Sequence, residues 1–266
     1  MKTASTNRRV SGLEGVKIGC CGFAGSQGRY FDQFGLVEVQ QTFYEPPRRS
    51  TAERWRAQAP REFEFTLKAW QIITHDANSP TYRRLRTHLT GDDELAVGSF
   101  RDTPQVWQAW RRTREIALAV GARVIVFQCP ASFDFTEQNT ARLRQFFKRI
   151  GECSGKPDDL SRPMEQGFLL VWEPRGQWED GAVAELCQEL NLVHGVDPFA
   201  RRSVTQDWFY FRLHGIGGYQ HRYSEEELKQ LAAMTNGFRG GYCLFNNIFM
   251  REDAARFAFI LNAGKA

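Results

Sequence analysis

The stretch "LVEVQQTFYEPP" (36–47) decides the fold, because apolar and polar residues alternate along it. Val37 and Val39 share one face of the predicted strand, and the other face carries four polar or amphipathic side chains: Glu38, Gln40, Thr42 and Tyr44. An antiparallel strand with one face in water has this pattern. The neighbouring runs are instead typical of parallel strands, which are covered on both faces. The fold must therefore explain on which side of its strand Glu38 lies.

Eight apolar runs of strand length occur along the chain: "VKIGC" (16–20), "LVEVQQ" (36–41), "FEFTLK" (63–68), "RVIVFQ" (123–128), "GFLLVWE" (167–173), "LVHGVD" (192–197), "WFYFRLH" (208–214) and "GYCLFN" (241–246). Helical patterns separate most of them and close the chain: 51–59, 104–120, 137–150, 182–190, 224–234 and 251–261. This alternation predicts an α/β protein, a single (β/α)8 TIM-like barrel that is regular, irregular or incomplete. An open doubly wound sheet is the alternative, but "GCCGFAG" after the first strand is not the GxGxxG turn of dinucleotide-binding sheets.

The composition is that of a globular protein, with 42% hydrophobic and 25% charged residues in a chain of 266. Residues 15–266 are predicted to form one domain after a flexible N-terminal tail of residues 1–14. The six cysteines form no CxxC pair, which is typical of reduced thiols in the cytoplasm, and no apolar run is long enough to span a membrane. Although 28 of the 35 basic residues are arginine, the net charge of +4 does not by itself indicate a nucleic-acid partner.

A parallel barrel explains the position of Glu38. Outward side chains of a barrel strand meet helices and must be apolar, whereas inward side chains fill the barrel or line its mouth. The same alternation recurs in the third and seventh strands. The predicted outward residues there are Phe63, Phe65, Leu67, Phe209, Phe211 and Leu213. The predicted inward residues are Glu64, Thr66, Lys68, Tyr210, Arg212 and His214.

Polar strand ends are expected to converge at the C-terminal mouth, where barrel enzymes hold their active sites. The candidates are Glu38, Lys68, Gln128, Glu173, Asp197, Arg212, His214 and Asn246. Buried polar groups cost free energy unless they are paired or bind a ligand. A charge-balanced structural network is one explanation. We favour a ligand site, because so many polar strand ends occur together.

The chemistry of this set leaves alternatives open. A divalent metal is possible through carboxylate oxygens and imidazole, the donors being Glu38, Glu173, Asp197 and His214. No bound metal is expected, because Lys68 and Arg212 would neutralise the carboxylates and no compact Cys/His set exists. Without a metal, Lys68 and Arg212 are predicted to hold an anion, with a carboxylate or His214 as general base. A Schiff base at Lys68 needs a depressed pKa, and the nearby carboxylates are expected to raise that pKa instead.

Two loops are expected to border the mouth. Residues 73–102 exceed an ordinary βα loop and carry three arginines and a histidine: His75, Arg83, Arg84 and Arg86. Residues 215–224 combine glycines with aromatic residues. Arginine beside aromatic rings is how single-stranded nucleic acid is bound, and Arg48, Arg49 and Arg54 lie on the neighbouring unit. In the alternative, the loop arginines pair with acids of the same loop: Asp92, Asp93 and Glu94.

At these strand ends the sequence resembles the YecE-like TIM-barrel family, the domain-of-unknown-function family numbered seventy-two. The motifs that carry the resemblance are "EVQQTFY", "FTLKAWQIITH", "FQCPASF", "WEPRGQW", "FRLHG", "YSEEEL" and "LFNN" in that order. The resemblance implies a TIM-like barrel with shared polar positions at Glu38, Tyr44, Lys68, His75, Glu173, Arg175, Arg212, His214 and Asn246. Here the chain departs from the family pattern in "CGFAGSQGRYF" after strand one, where an aromatic Gly-Trp-Tyr stretch is usual.

These observations predict a protein with an anion-binding site at the C-terminal mouth, acting on a phosphate-bearing small molecule or a nucleic acid, with hydrolysis as the reaction if it is an enzyme. The residues assigned to catalysis are Glu38, Lys68, Glu173 and His214. Those assigned to substrate binding are Tyr44, His75, Gln128, Arg175, Asp197, Arg212 and Asn246. The alternatives are an enzyme for a carbohydrate or small polyol that uses paired carboxylates, and a non-catalytic barrel that binds a ligand or partner.

Overall fold

The computed structural model describes residues 15–87, 89–152 and 167–263. Its centre is a closed barrel of eight parallel strands in sequence order, with the first strand paired to both the second and the eighth. The strands are β1 (Val16–Cys21), β2 (Leu36–Val39), β3 (Glu64–Lys68), β4 (Ala122–Gln128), β5 (Leu169–Glu173), β6 (Val193–Val196), β7 (Trp208–Leu213) and β8 (Gly240–Phe245). The predicted TIM-like barrel is therefore confirmed, and the doubly wound alternative is wrong.

Helices surround the barrel. They are α1 (Gln27–Gln33), α2 (Gln41–Tyr44), α3 (Arg49–Gln58), α4 (Gln71–Thr74), α5 (Gly91–Ala96), α6 (Pro104–Val120), α7 (Glu137–Glu152), α8 (Asp180–Leu190), α9 (Glu225–Met234) and α10 (Met250–Ala263). Helix α6 begins and ends where the sequence predicts. The Thr103 hydroxyl accepts a hydrogen bond from the Val106 amide, Pro104 occupies the first turn, and Gly121 ends the helix at φ +70°.

The two faces of the strands pack into two separate cores, as the alternation predicts. Outward residues such as Val37 and Phe211 join the large core between strands and helices. Inward apolar residues form a smaller core inside the barrel, which includes Val124, Val171 and Leu244. Glu38 lies on the inward face, because both its strand neighbours pack outward and its carboxylate contacts inward side chains of β7. The inward prediction for Glu38 is thus confirmed.

The predicted strand 36–41 is too long at its C-terminal end. Strand β2 stops at Val39, and residues 41–44 form the short helix α2. Thr42 therefore does not continue the polar face, and its hydroxyl donates to the carbonyl oxygens of Val39 and Lys68 at 3.0 and 2.8 Å. The alternation in "QQTFY" suggested a strand because a single helical turn is too short to show a helical period.

The long segment 73–102 has secondary structure of its own. It begins in α4, contains α5, and forms a 3-10 helix at Pro80–Arg84 after the Ser79 cap. In the described part of the chain no helix has the length and apolarity needed to cross a membrane. The described cysteines, Cys20, Cys21, Cys129, Cys187 and Cys243, are buried free thiols. The predicted tail 1–14 and Cys153 lie outside the described residues.

Candidate functional site

An ionic cluster occupies the inside of the barrel at the C-terminal ends of the strands, with Arg212 of β7 at its centre. The Arg212 guanidinium contacts two carboxylates: its Nη2 lies 2.8 Å from Glu38 Oε1, and its Nη1 lies 2.6 Å from Glu173 Oε2. Glu38 also accepts hydrogen bonds from the Tyr210 hydroxyl at 2.8 Å and from the Gln40 amide. All of these groups except Gln40 are buried, so the charges are screened little by water.

Glu173 ends β5 and joins this cluster to the opening of the barrel. Its Oε1 accepts from Gln128 Nε2 and from Arg175 Nε, both at 2.9 Å. A glycine makes room for it, since a side chain at Gly195 of β6 would lie 3.2 Å from the Glu173 Cβ and 2.7 Å from Val171. The Arg175 side chain is 42% exposed, so it is the guanidinium of the cluster that reaches solvent.

Both carboxylates are held in the ionised form. Burial alone would raise the pKa of Glu38, but the Arg212 guanidinium outweighs it, and the pKa lies below its ordinary value. Burial likewise opposes ionisation of Glu173, and Arg212 and Arg175 together hold its pKa well below the usual range. A general acid must carry a proton, and neither carboxylate carries one near neutral pH.

Lys68, the last residue of β3, is a buried basic side chain whose contacts differ from those of Arg212. Its Nζ donates to Gln128 Oε1 at 2.7 Å and lies 3.8 Å from the centre of the Phe43 ring. Within the described residues, no carboxylate lies within ion-pair distance of Nζ. Burial, followed by the positive charge of Arg212, lowers the pKa of the Lys68 amine to about 7. The expectation that the carboxylates raise this pKa is therefore wrong, because burial and the guanidinium outweigh Glu38 and Glu173.

His214 follows β7 and faces the same opening. Its Nε2 lies 2.8 Å from Arg175 Nη2 and 3.4 Å from Arg212 Nη1. A guanidinium only donates, so Nε2 is the acceptor in these contacts. Asp197, after β6, accepts from the His214 amide at 2.9 Å, and its carboxylate lies 3.6 Å from Nδ1. The structure thus brings His214 and Asp197 into the cluster.

Three predicted residues lie farther out. His75 is buried beside Phe43, with ring centres 4.9 Å apart, and burial together with the charge of Lys68 lowers its pKa to about 3. Tyr44 lies at the rim, where the Arg84 guanidinium stacks 4.6 Å from its ring centre. The backbone N–H of Asn246 donates to the Leu213 carbonyl. The Asn246 side chain makes no hydrogen bond to the cluster among the described residues. His75 is therefore a neutral packing partner of the site.

Two contributors were missed by the sequence analysis. Tyr210 was predicted to point inward but was not assigned to the site, and its hydroxyl bridges Glu38 and Thr66, each at 2.8 Å. Phe43, which packs against the Lys68 amine, was missed because the strand alternation was carried on through Thr42 and Tyr44, where the structure has the short helix α2. The inward position of Tyr210 was a usable signal, whereas the sequence offered none for Phe43.

The donor set does not suit a metal ion. Among the described residues, no three or more His, Cys, Asp or Glu side chains are grouped to hold one. Glu38 and Glu173, the oxygen donors nearest the barrel axis, are occupied by arginine, tyrosine and glutamine N–H and O–H groups. The expectation of no cofactor stays a prediction.

The loop arginines do not pair as the alternative expected. In the described segments of 73–102, no ion pair joins Arg83, Arg84 or Arg86 to Asp92, Asp93 or Glu94. Asp93 instead caps α5 through Thr90 and accepts from Gln105. All three arginines are exposed, so the positive charge of this loop faces solvent.

The fold and the polar mouth place this chain in the class of TIM-barrel proteins. More specifically, the chain belongs to the family described as "Protein of unknown function DUF72", which matches residues 28–263. It is 23% identical over 245 residues to UPF0759 protein YunF of Bacillus subtilis (strain 168), covering 82% of this chain and 79% of YunF. The resemblance to the YecE-like family is thereby confirmed.

Solved structures share the fold. A DUF72 family protein from Enterococcus faecalis V583 has a TM-score of 0.67 at 17% identity, covering 94% of this chain and 98% of that one. A xylose isomerase domain containing protein from Salmonella typhimurium LT2 has a TM-score of 0.52 at 13% identity, covering 94% and 97%. Both likenesses show the shared barrel fold.

Proposed function

We propose that the C-terminal mouth binds a small phosphate-bearing substrate and that the protein is an enzyme acting on it. The observation that carries this proposal is the inventory of hydrogen-bonding groups in the mouth. The carboxylate oxygens of Glu38, Glu173 and Asp197 already accept hydrogen bonds from protein donors. The donors are in excess, because Arg175 Nη1 and the remaining N–H groups of Lys68 have no partner among the described residues.

A ligand for such a site must supply acceptors. Phosphate has several strong acceptor oxygens and a negative charge, and a guanidinium binds two of them side by side. We assign this role to Arg175, since its side chain is partly exposed and its Nη1 has no hydrogen-bond partner among the described residues. From the sequence, the role was assigned to Lys68 and Arg212, but the Arg212 guanidinium is only 1% exposed and is shared between Glu38 and Glu173.

The carbohydrate alternative with paired carboxylates receives less support. Hydrolysis of a glycoside needs one carboxylic acid that keeps its proton near neutral pH. Arginine holds the pKa of both Glu38 and Glu173 below the ordinary value. Burial lowers the pKa of Lys68 to about 7, so the protonation of this amine changes near neutral pH. We therefore assign the reactive role to Lys68, and a structural and electrostatic role to the two carboxylates.

A nucleic acid is the second candidate, and the exposed arginines of the 73–102 segment favour it. Arg84 stacks on Tyr44 at the rim of the mouth, and Arg83 and Arg86 face solvent beside it. This surface would contact phosphates next to the one bound by Arg175. The two candidates share the phosphate chemistry of the mouth and differ in whether the outer arginines contribute.

Titration calorimetry with inorganic phosphate at low salt tests the proposal. We expect saturable binding that weakens at least tenfold in Arg175→Met. The Lys17→Met variant is the matched control, because Lys17 lies in a separate pair with Glu64. Phosphate binding that is absent, or equal in Arg175→Met and the wild type, would contradict the proposal. Binding without turnover of any phosphate ester would assign the barrel to the non-catalytic class.

A further inference from the structure

We infer that Lys68 is a nucleophile that forms a Schiff base with the carbonyl carbon of a phosphate-bearing aldehyde or ketone. This inference rests on the proposed function and narrows its substrate class. It starts from the contacts of the Lys68 amine, which has one acceptor, Gln128 Oε1 at 2.7 Å, and one ring face, Phe43 at 3.8 Å. These contacts hold the side chain in place, and the lone pair of the neutral amine is the group that attacks a carbonyl carbon.

The surroundings favour the neutral amine, the form that attacks a carbonyl. The charged and titratable groups that face Lys68 come from four parts of the barrel: Glu38 of β2, His75 after α4, Glu173 and Arg175 at the end of β5, and Arg212 of β7. Arg212 and Arg175 oppose protonation of the amine, and Glu38 and Glu173 support it, but each carboxylate is already paired with arginine. Burial then decides the balance, and the pKa falls to about 7.

The position of Lys68 relative to Arg175 indicates what the carbonyl compound carries. Gln128 accepts from Lys68 and donates to Glu173 Oε1, and the same oxygen accepts from Arg175 Nε. The amine and the partly exposed guanidinium are thus joined through one glutamine and one carboxylate. A small molecule with a carbonyl at one end and a phosphate at the other matches this pair of groups.

The bond changes are those of imine formation. The Lys68 nitrogen lone pair forms a bond to the carbonyl carbon, and the π electrons pass to the oxygen, which takes up a proton. The nitrogen loses its two protons, the oxygen departs as water, and a C=N bond remains. Amine and carbonyl compound therefore give imine and one water, with no oxidant or reductant. Gln128 and Phe43 orient the nitrogen for its attack on the carbonyl carbon.

Reductive trapping tests the inference. The wild-type protein is incubated with glycolaldehyde phosphate or with glycolaldehyde, and sodium cyanoborohydride reduces any imine to a stable secondary amine. Intact mass and peptide mapping then locate the label. We expect one label per chain at Lys68, formed at least tenfold faster with the phosphate compound, and faster as the pH rises through about 7. Lys68→Met and Lys68→Arg should lose this label, whereas Lys17→Met should keep it.

The outcomes separate the inference from the proposed function. Labelling spread over exposed lysines and unchanged in Lys68→Met overturns the Schiff base. If phosphate still binds in an Arg175-dependent manner in that case, the proposed function stands and only the inference fails. If Arg175→Met removes the preference for the phosphate compound but keeps the Lys68 label, both are supported. Peptide mapping on the wild type gives the answer even if a Lys68 variant does not fold.

Discussion

The two ends of the barrel both hold charged residues inside, but they solve the problem of burial differently. At the N-terminal end, Lys17 pairs directly with Glu64, and Tyr242 donates to the same carboxylate. At the C-terminal end, Arg212 serves both carboxylates, and Lys68 has no ion-pair partner among the described residues. The Lys17 side chain is 37% exposed, whereas Lys68 is 5% exposed. Lys17 is thus a paired lysine that reaches solvent, whereas Lys68 is buried with no carboxylate within ion-pair distance among the described residues.

The two ends differ in how their donors and acceptors are matched. Each end has inward polar side chains, so polarity alone does not mark a ligand site. At the N-terminal end, one ion pair matches the lysine and the glutamate. At the C-terminal end, Arg175 is partly exposed and its Nη1 has no hydrogen-bond partner among the described residues, so water or a ligand can accept from it.

The largest loss of stability is expected when the ionic cluster at the C-terminal end is broken. Replacing Arg212 with Met leaves Glu38 buried with no cation in direct contact, and removing one partner of a buried ion pair costs about 3–5 kcal/mol. Lys17→Met removes a partly exposed pair and should cost about 1 kcal/mol or less. Urea unfolding of both variants measures the difference. Equal losses would show that the two ends are energetically alike.

The next effect concerns pH. The folded chain releases the Lys68 proton near pH 7, whereas the unfolded chain keeps it up to the ordinary value of 10.5. Between these values the unfolded state binds more protons, so the Lys68 contribution to stability rises with pH, by up to about 1.4 kcal/mol per unit. Thiols and phenols also titrate in this pH range. The quantity to measure is therefore the unfolding free energy of the wild type minus that of Lys68→Met, which leaves the contribution of Lys68. A difference that is flat from pH 7 to 9 contradicts the account.

The smallest change is expected in nucleic-acid binding, when the exposed arginines outside the barrel are replaced. If Arg83 and Arg84 contact nucleic-acid phosphates, changing both to Ala should lower the log–log salt slope of single-strand binding by about 0.7 per contact. Arg144→Ala is the matched control, because Arg144 lies on α7 and is paired with Glu185 and Glu189. Binding weaker than about 10⁻⁴ M, the weak end of non-specific association, would leave the small-molecule substrate as the function.

Much of the fold could be predicted because barrel strands impose a strict alternation. Val37, Phe65 and Phe211 had to be apolar to meet helices, and this fixed the inward direction of Glu38 and Arg212. The short helix at 41–44 could not be predicted, since four residues show neither a helical nor a strand period reliably.

The site could be predicted as a set of residues but not as a set of contacts. Strand ends converge in any barrel, so Lys68, Glu173 and Arg212 were expected to meet. Which cation each carboxylate would take depends on side-chain geometry that alternation does not encode. From the sequence, the anion was therefore assigned to Lys68 and Arg212, although Arg212 is occupied by two carboxylates, and the pKa of Lys68 was expected to be raised, although burial lowers it.

Burial lowers the pKa of Lys68 to about 7, and among the described residues no carboxylate lies within ion-pair distance of its amine. The most direct test is a nuclear magnetic resonance titration of lysine side chains labelled with ¹³C at Cε, with Lys68→Met used to assign the signal. We expect the Lys68 signal, which is the one absent from the Lys68→Met spectrum, to titrate with a pKa of about 7 in the wild type. A Lys68 signal that stays protonated to pH 10 would contradict it, and the C-terminal end would then be no different in kind from the N-terminal end.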